Sequence, residues 1–326
     1  MHWDLHGQTI SGSTNNDLLR ERWRASFASR SISNRRIDLS FALDLVADIP
    51  ARPIGEPHYR QADLLEYTID GQNVVAHFPR FGQLRLDLVH GLTEGHIVDA
   101  ALNTYGVLED LIAIGLSPHL RRRGMFLIHA FGAATADPHP RPRPLSLKEE
   151  RGVLLVGNIG AGKTTTGMSL LDAGWKLLSN DSPIVKATGE VLSYPSLLAA
   201  YPDTFDRFER SRKFAQTTLN TEGRQKITLS AELIWPDVWI DRAMCCAIFF
   251  PQIESRSDHA IDPIDPPEAL RRLLPHAIEQ WDREMIAEHL KVLKNLVENA
   301  PAYLLRLGSQ VKTIPAQVIS TLNQLQ

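Results

Sequence analysis

The chain has 326 residues, 43% of them apolar and 22% charged, with a formal net charge of −3. That length allows a large core and two domains, and the near-neutral charge excludes the general basic footprint of bulk nucleic-acid binding. No apolar run approaches the roughly 20 residues that span a bilayer, the first residues lack a basic-then-apolar leader, and adjacent Cys245 and Cys246 suit buried thiols better than a disulfide or metal site, so a cytoplasmic protein without membrane contact is expected.

Residues 1–36 are polar and irregular and read as a solvated arm. Arg30, Arg35 and Arg36 make it locally basic, which also suits an acidic partner. Within it, 17–28 fits a short helix capped by Asn16 or Thr14. A strand at 37–46 and a Pro-rich connection at 51–59 follow. Strands are then expected at 64–69, 74–78 and 83–89, with Asp70-Gly71 as a hairpin turn. This describes a β-meander of an accessory region. The spacing of His77, His90 and His96 fits no metal motif. Residues 99–116 have the periodicity of an amphipathic helix, stopped by Ser117-Pro118. Residues 124–131 read as a buried strand, on which His129 is by composition alone a core histidine. The alternating prolines of 137–144 mark a surface loop.

The stretch 152–181 organises the rest. Val153 to Val156 form an apolar run expected as a buried strand. It leads into Gly157-x-x-x-x-Gly162-Lys163-Thr164, the phosphate-binding loop pattern. Glycines let successive backbone N–H groups turn inward toward phosphate oxygens. Lys163 adds a positive charge for the terminal phosphates, and Thr164 offers a hydroxyl to Mg²⁺. The following helix directs its positive end at the same anion. Phosphates are therefore expected on Gly157, Asn158, Ile159, Gly160, Ala161, Gly162, Lys163, Thr164 and Thr165. Gly174 ends the helix, 175–178 form a second strand, and Asn180-Asp181 close it. An acidic residue beside such a loop is a metal partner or proton acceptor.

Beyond it, 184–185 and 191–194 flank a hairpin turn at Thr188-Gly189-Glu190. Residues 204–218 carry Arg207, Arg210, Arg212 and Lys213, with Arg224 and Lys226 soon after. A central strand is expected at 243–250, closed by Pro251. Helices are expected at 267–274 and 276–299, a last strand at 303–307 and a terminal helix at 315–325. The apolar spacing of 276–299, through Ile278, Trp281 and Met285, suits core or contact between copies in a homo-oligomer. Strand–helix alternation around a phosphate loop indicates an α/β domain.

The loop, one helix, one strand and then Asn180-Asp181 resemble the bacterial HPr kinase/phosphorylase family and its relatives, which include small serine kinases and peptide-tailoring kinases. That family's core reads Gly-x-Ser-Gly-x-Gly-Lys-Ser/Thr, a helix, then Gly-x-x-Leu-x-x-Asp-Asp. The counterparts here are Gly157 to Thr164, Gly174-Trp175-Lys176-Leu177-Leu178, and Asn180-Asp181. The resemblance runs from about residue 124 to the end of the chain. It departs at Asn180, where the family has Asp, and at Asn158-Ile159-Gly160, where Ser-Gly is common.

The resemblance implies a P-loop kinase domain of the HPr kinase/PEP carboxykinase-like type at 121–326, behind a β-rich accessory region at 1–120. It implies ATP and Mg²⁺ as cofactors, with Thr164 and Asp181 at the metal. The acceptor is a serine-type hydroxyl of a protein, peptide or small molecule. Ile128-His129-Ala130 matches a family element that carries a histidine, and Lys226 and Arg224 match its basic segment. The expected catalytic set is Asp181, His129, Lys163 and Lys226. Asn180 motivates a second expectation, a catalytically silent nucleotide-binding regulator or scaffold, unless Glu190, Asp203 or Asp206 supplies the missing carboxylate. A conventional P-loop hydrolase or transporter ATPase fits less well, because no ABC-type signature or distant acidic strand is present.

Overall fold

Strands that bury every second residue build the first of two units. The computed structural model describes residues 1–27, 30–32, 36–135, 150–215 and 226–324. One unit is Met1–Gly124 with Glu279–Ile286, and the other is Met125–Ile278 with Ala287–Gln326. Both mix helices and sheets. The expected loop at 137–144 and Arg224 lie outside the described residues.

The first unit contains β1 (His2–Leu5), β2 (Gln8–Ser13), α1 (Asp17–Ser26), β3 (Leu39–Leu45), β4 (Tyr59–Gln61), β5 (Leu65–Asp70), β6 (Asn73–Phe78), β7 (Gly82–Asp87), β8 (Leu92–Ile97), α2 (Asp99–Asn103) and α3 (Val107–Arg121). Its eight strands run β1-β2-β3-β8-β7-β6-β5-β4. The expected meander is present, with Gly71 at φ 56° in the turn after Asp70. Asn16 caps α1, its side chain accepting the Leu19 N–H at 2.9 Å.

Two expectations are corrected here. The polar start is not an irregular arm. β1 and β2 form a hairpin around His6 and Gly7, both at positive φ, because Trp3 stacks on Trp23 at 5.2 Å and is buried. The second concerns the helix at 99–116. It breaks at Gly106, whose φ of 78° is not helical, and resumes through Pro118 to Arg121. Burial of His119, Leu120 and Arg121 outweighs the hydrogen bond that Pro118 cannot make.

The second unit contains β9 (Phe126–Leu127), β10 (Ala130–Thr135), β11 (Arg151–Val156), α4 (Lys163–Asp172), β12 (Lys176–Ser179), β13 (Ile184–Val185), β14 (Glu190–Leu192), β15 (Leu198–Ala200), α5 (Pro202–Asp206), α6 (Arg212–Ala215), β16 (Ile227–Leu229), β17 (Arg242–Ile253), β18 (Ala260–Ile264), α7 (Pro266–Leu273), α8 (Arg283–Asn299), β19 (Ala302–Leu307) and α9 (Ile314–Asn323). The first turn of α8 belongs to the first unit. The main sheet runs β12-β10-β11-β17, with β19 parallel to the end of β17 and β14 antiparallel to its start. Phe131, Leu155, Met168, Leu171 and Phe249 are buried in its core.

The strand expected at 124–131 is two strands with Ile128-His129 between them. The strand expected to close at Pro251 continues to Ile253. β11 pairs with β17 only as far as Phe249, so beyond it the neighbour is β19 alone, and a missing N–H on the open side is tolerated. The helix expected from 276 begins at Arg283, since Trp281 stacks on Tyr67 at 4.6 Å instead.

Candidate functional site

Strand direction brings the predicted site residues to one edge of the main sheet. β10 is antiparallel to both β11 and β12. Its start therefore lies where its two neighbours end. His129 precedes β10, Gly157 follows β11, and Asn180-Asp181 follow β12. The Ala130 N–H donates to the Asp181 carbonyl at 2.9 Å, locking the two segments together.

The loop from Gly157 to Gly162 is shaped by glycine. Gly160 has φ 83° and Gly162, at the start of α4, has φ 102°. A Cβ on Gly162 would stand 2.5 Å from Leu307 Cδ1. Asn158, Ile159 and Gly160 are exposed, whereas Lys163 is buried and Thr164 and Thr165 are half-buried. The Lys163 ammonium donates to the carbonyls of Gly157 and Asn158 and lies 3.2 Å from His129 Nε2. Burial holds its pKa below the ordinary lysine value. The charge of Lys226 acts in the same direction, and Asp181 opposes both.

His129 sits between the cation and the acid. Its Nδ1 is 3.2 Å from Asp181 Oδ1. With Nε2 facing the Lys163 donor, the fitting tautomer is neutral with the proton on Nδ1, toward Asp181. The imidazole is 39% and the Asp181 side chain 48% exposed, so both meet solvent. His129 is thus not the core histidine that composition suggests. Its backbone explains why: the Ile128 N–H donates to Pro183 O at 3.0 Å and the His129 N–H to His276 O at 2.7 Å, bonds that occupy the gap between β9 and β10.

Asn180 and Asp181 diverge. Asn180 is buried, its amide 3.5 Å from Leu197 O, with Oδ1 lacking a partner among the described residues. Asp181 alone of the pair reaches His129. Lys226 stands just before β16, with its ammonium 5.6 Å from the Tyr201 ring centre, and its charge is felt by Lys163. Glu190 is at the opposite sheet edge, opposite Met244 near the start of β17, and within 4 Å of Lys186 and Arg242. It cannot serve this site. Asp206 pairs with Arg212 at 3.2 Å, and Asp203 lies in the first turn of α5.

Two contributors carried no functional signal in the sequence. Ser179 is fully buried, and its hydroxyl accepts the N–H groups of Asp181 and Ser182 at 3.4 and 3.1 Å. It holds the turn that presents the carboxylate, an arrangement that Ser before a turn can suggest. His276 lies with its ring 6.0 Å from that of His129. Burial lowers its pKa, followed by the nearby His129 and Lys163. Nothing local in the sequence links it to His129.

Among the described residues no group of three His, Cys, Asp or Glu side chains can hold a metal ion by itself. Mg²⁺ needs only one or two protein oxygens when phosphates complete its shell. The donors present, the Thr164 hydroxyl in the first turn of α4 and the half-exposed Asp181 carboxylate, fit that pattern. No family model and no curated protein matches the chain. No helix among the described residues is long and apolar enough to cross a membrane.

Proposed function

We propose that this chain is an ATP-dependent kinase of the HPr kinase/phosphorylase-like type, transferring a phosphoryl group to a serine-type hydroxyl of a protein, peptide or small molecule. One observation carries the reading. His129 lies 3.2 Å from Lys163 through Nε2 and 3.2 Å from Asp181 through Nδ1 at one sheet edge, beside a glycine-shaped loop that opens a helix.

Each residue has work suited to its chemistry. The N–H groups of the loop and α4 bind phosphate oxygens. Lys163 exchanges its contacts with Gly157 O, Asn158 O and His129 for the terminal phosphates. Thr164 and Asp181 would hold Mg²⁺, which supplies charge neutralisation on the phosphates when bound. Where its carboxylate is not taken up by the metal, Asp181 instead accepts the hydroxyl proton as the new O–P bond forms and the bond to the diphosphate leaving group breaks. His129 orients that carboxylate by donating its Nδ1–H to it. Lys226 adds positive charge for the same phosphates. Asn180, buried away from this chemistry, does not deprive the site of its carboxylate.

Replacing Asp181 tests this reading. An interaction made chiefly in the transition state lowers turnover more than ground-state binding. Asp181→Asn is therefore expected to fold, retain ATP affinity and transfer phosphate at least ~100-fold more slowly. Slow ATP hydrolysis serves as the readout until an acceptor is found. Wild-type transfer by the variant removes Asp181 from the mechanism. Nucleotide binding by the wild type, with neither hydrolysis nor transfer across a broad panel of serine-bearing acceptors, favours a silent nucleotide-binding scaffold.

A further inference from the structure

The first unit has a cavity of its own. It measures about 300 Å³, the lower end of the range for small-molecule sites, and every residue that lines it belongs to that unit. It lies beside the turn of the β5–β6 hairpin and the first turn of α8. Its floor is apolar. Val74, Leu88 and Trp281 are buried and Ile69 is half-buried. Ile69 pairs with Val74 across the hairpin, and Tyr59 with Tyr67, on which Trp281 stacks. Cross-strand pairing and a period of two put these side chains on one face of the sheet.

The rim is rich in donors and short of anions. Both carboxylates in the lining are already engaged. Asp282 accepts four hydrogen bonds from Arg121 and Arg122. Glu284 accepts from Arg122 at 3.4 Å and from the Gln72 amide at 3.1 and 3.2 Å. Arg283 is exposed and has no ion pair among the described residues. It is the first residue of α8, whose positive end adds charge of the same sign. His58 accepts the Ile69 N–H on Nδ1 at 3.0 Å, so its proton is on Nε2, a second donor. The Tyr59 hydroxyl is a third, with no hydrogen-bond partner among the described residues.

We propose that this cavity binds a compact aromatic carboxylate. The ring buries apolar area on the floor of Ile69, Val74, Leu88 and Trp281, which favours binding in proportion to that area. The carboxylate meets Arg283, a planar donor matched to two carboxylate oxygens. The His58 Nε2–H and the Tyr59 hydroxyl are further donors to it. A cationic ligand of the same size would meet the Arg283 charge and find both carboxylates already paired. The lining shares no residue with the phosphate loop, so the site stands whether or not the chain is a kinase.

Calorimetric titration of the full chain with phenylacetate, acetate and benzylamine tests the site. Phenylacetate is expected to bind at least about tenfold more tightly than acetate, as burial of a ring requires. It is also expected to bind at least about tenfold more tightly than benzylamine, whose charge has the wrong sign. Arg283→Gln is expected to weaken phenylacetate binding about tenfold, the loss of one charge-assisted contact. Gln280→Trp puts a large ring at an exposed rim position and is expected to abolish binding. Failure of phenylacetate to bind the wild type overturns the site. Acetate or benzylamine binding as tightly as phenylacetate overturns the ligand class. Unchanged phenylacetate affinity in both folded variants puts the ligand elsewhere and overturns the site as well.

Discussion

Lys163 is buried where its charge is disfavoured, which an anionic ligand would reverse. A charge-assisted hydrogen bond contributes about 1.5–3 kcal/mol. Lys163→Ala is therefore expected to weaken ATP binding by roughly 10- to 100-fold, the equivalent of that energy. Titration with ATP measures it, and unchanged affinity with unchanged turnover excludes Lys163 from phosphate binding. A second residue makes a separate pH-dependent demand on stability. His119 is buried, with Nε2 3.0 Å from Thr93 Oγ1. Burial first, then Arg123 and Arg122, lower its pKa from 6.5 to about 4. Between these values the unfolded chain binds the proton and the folded one does not, so this group's contribution to stability falls as pH drops from about 6.5 to about 4. The full loss is about 3 kcal/mol. His119→Gln, which cannot titrate, should show a shallower decline in urea-unfolding free energy across that window. Parallel wild-type and variant curves would show that His119 is not the group responsible.

At the level of the element, the turn between β11 and α4 depends on Gly162. Its φ of 102° is strained for any other residue, and its added Cβ meets Leu307. Gly174, which follows α4 at φ 92°, has nothing within 4 Å of an added Cβ. Gly174→Ala therefore carries only the backbone cost of about 1–2 kcal/mol. Gly162→Ala adds an overpacking cost of about 1–3 kcal/mol and displaces the loop. Its melting temperature should fall further than that of Gly174→Ala, and its nucleotide affinity should fall while that of Gly174→Ala is kept. Equal melting temperatures would show that Leu307 yields freely. Similar reasoning explains why β17 accepts Pro251: the strand's pairing partner changes there, leaving one side open.

For the whole molecule, the first unit is completed by a segment more than 150 residues distant from α3 in the chain. Asp282 accepts hydrogen bonds from Arg121 at 2.8 and 3.0 Å and from Arg122 at 2.9 and 3.0 Å. The Arg121 and Asp282 side chains are 2% and 3% exposed. Removing one member of such a pair leaves a buried charge, at a cost of about 3–5 kcal/mol. Asp282→Ala should lower the first unit's unfolding free energy by that amount in urea. A fragment of residues 1–124 lacks both Asp282 and the Trp281 ring, and should be less stable than the same unit in the full chain. An identical urea midpoint for the fragment and for that unit would show that 279–286 contributes nothing to its stability.

What the sequence by itself determined was set by neighbours a few residues apart. The Asn16 cap, the turns at Asp70-Gly71 and Gly189, the strand–loop–helix around Lys163 and the following strand to Asp181 were legible because backbone conformation and local hydrogen bonding depend on adjacent residue types. Polarity hid the β1–β2 hairpin, whose burial depends on Trp23 and Phe41. Proline rules misplaced the ends of α3 and β17, since distant burial and pairing override them. Only the antiparallel placement of β10 between β11 and β12 brought His129 to Lys163 and Asp181, and only tertiary packing set His276 beside it. Such proximity depends on strand order and direction, and strand order is decided by which buried surfaces meet across the whole sheet rather than by any short stretch of chain.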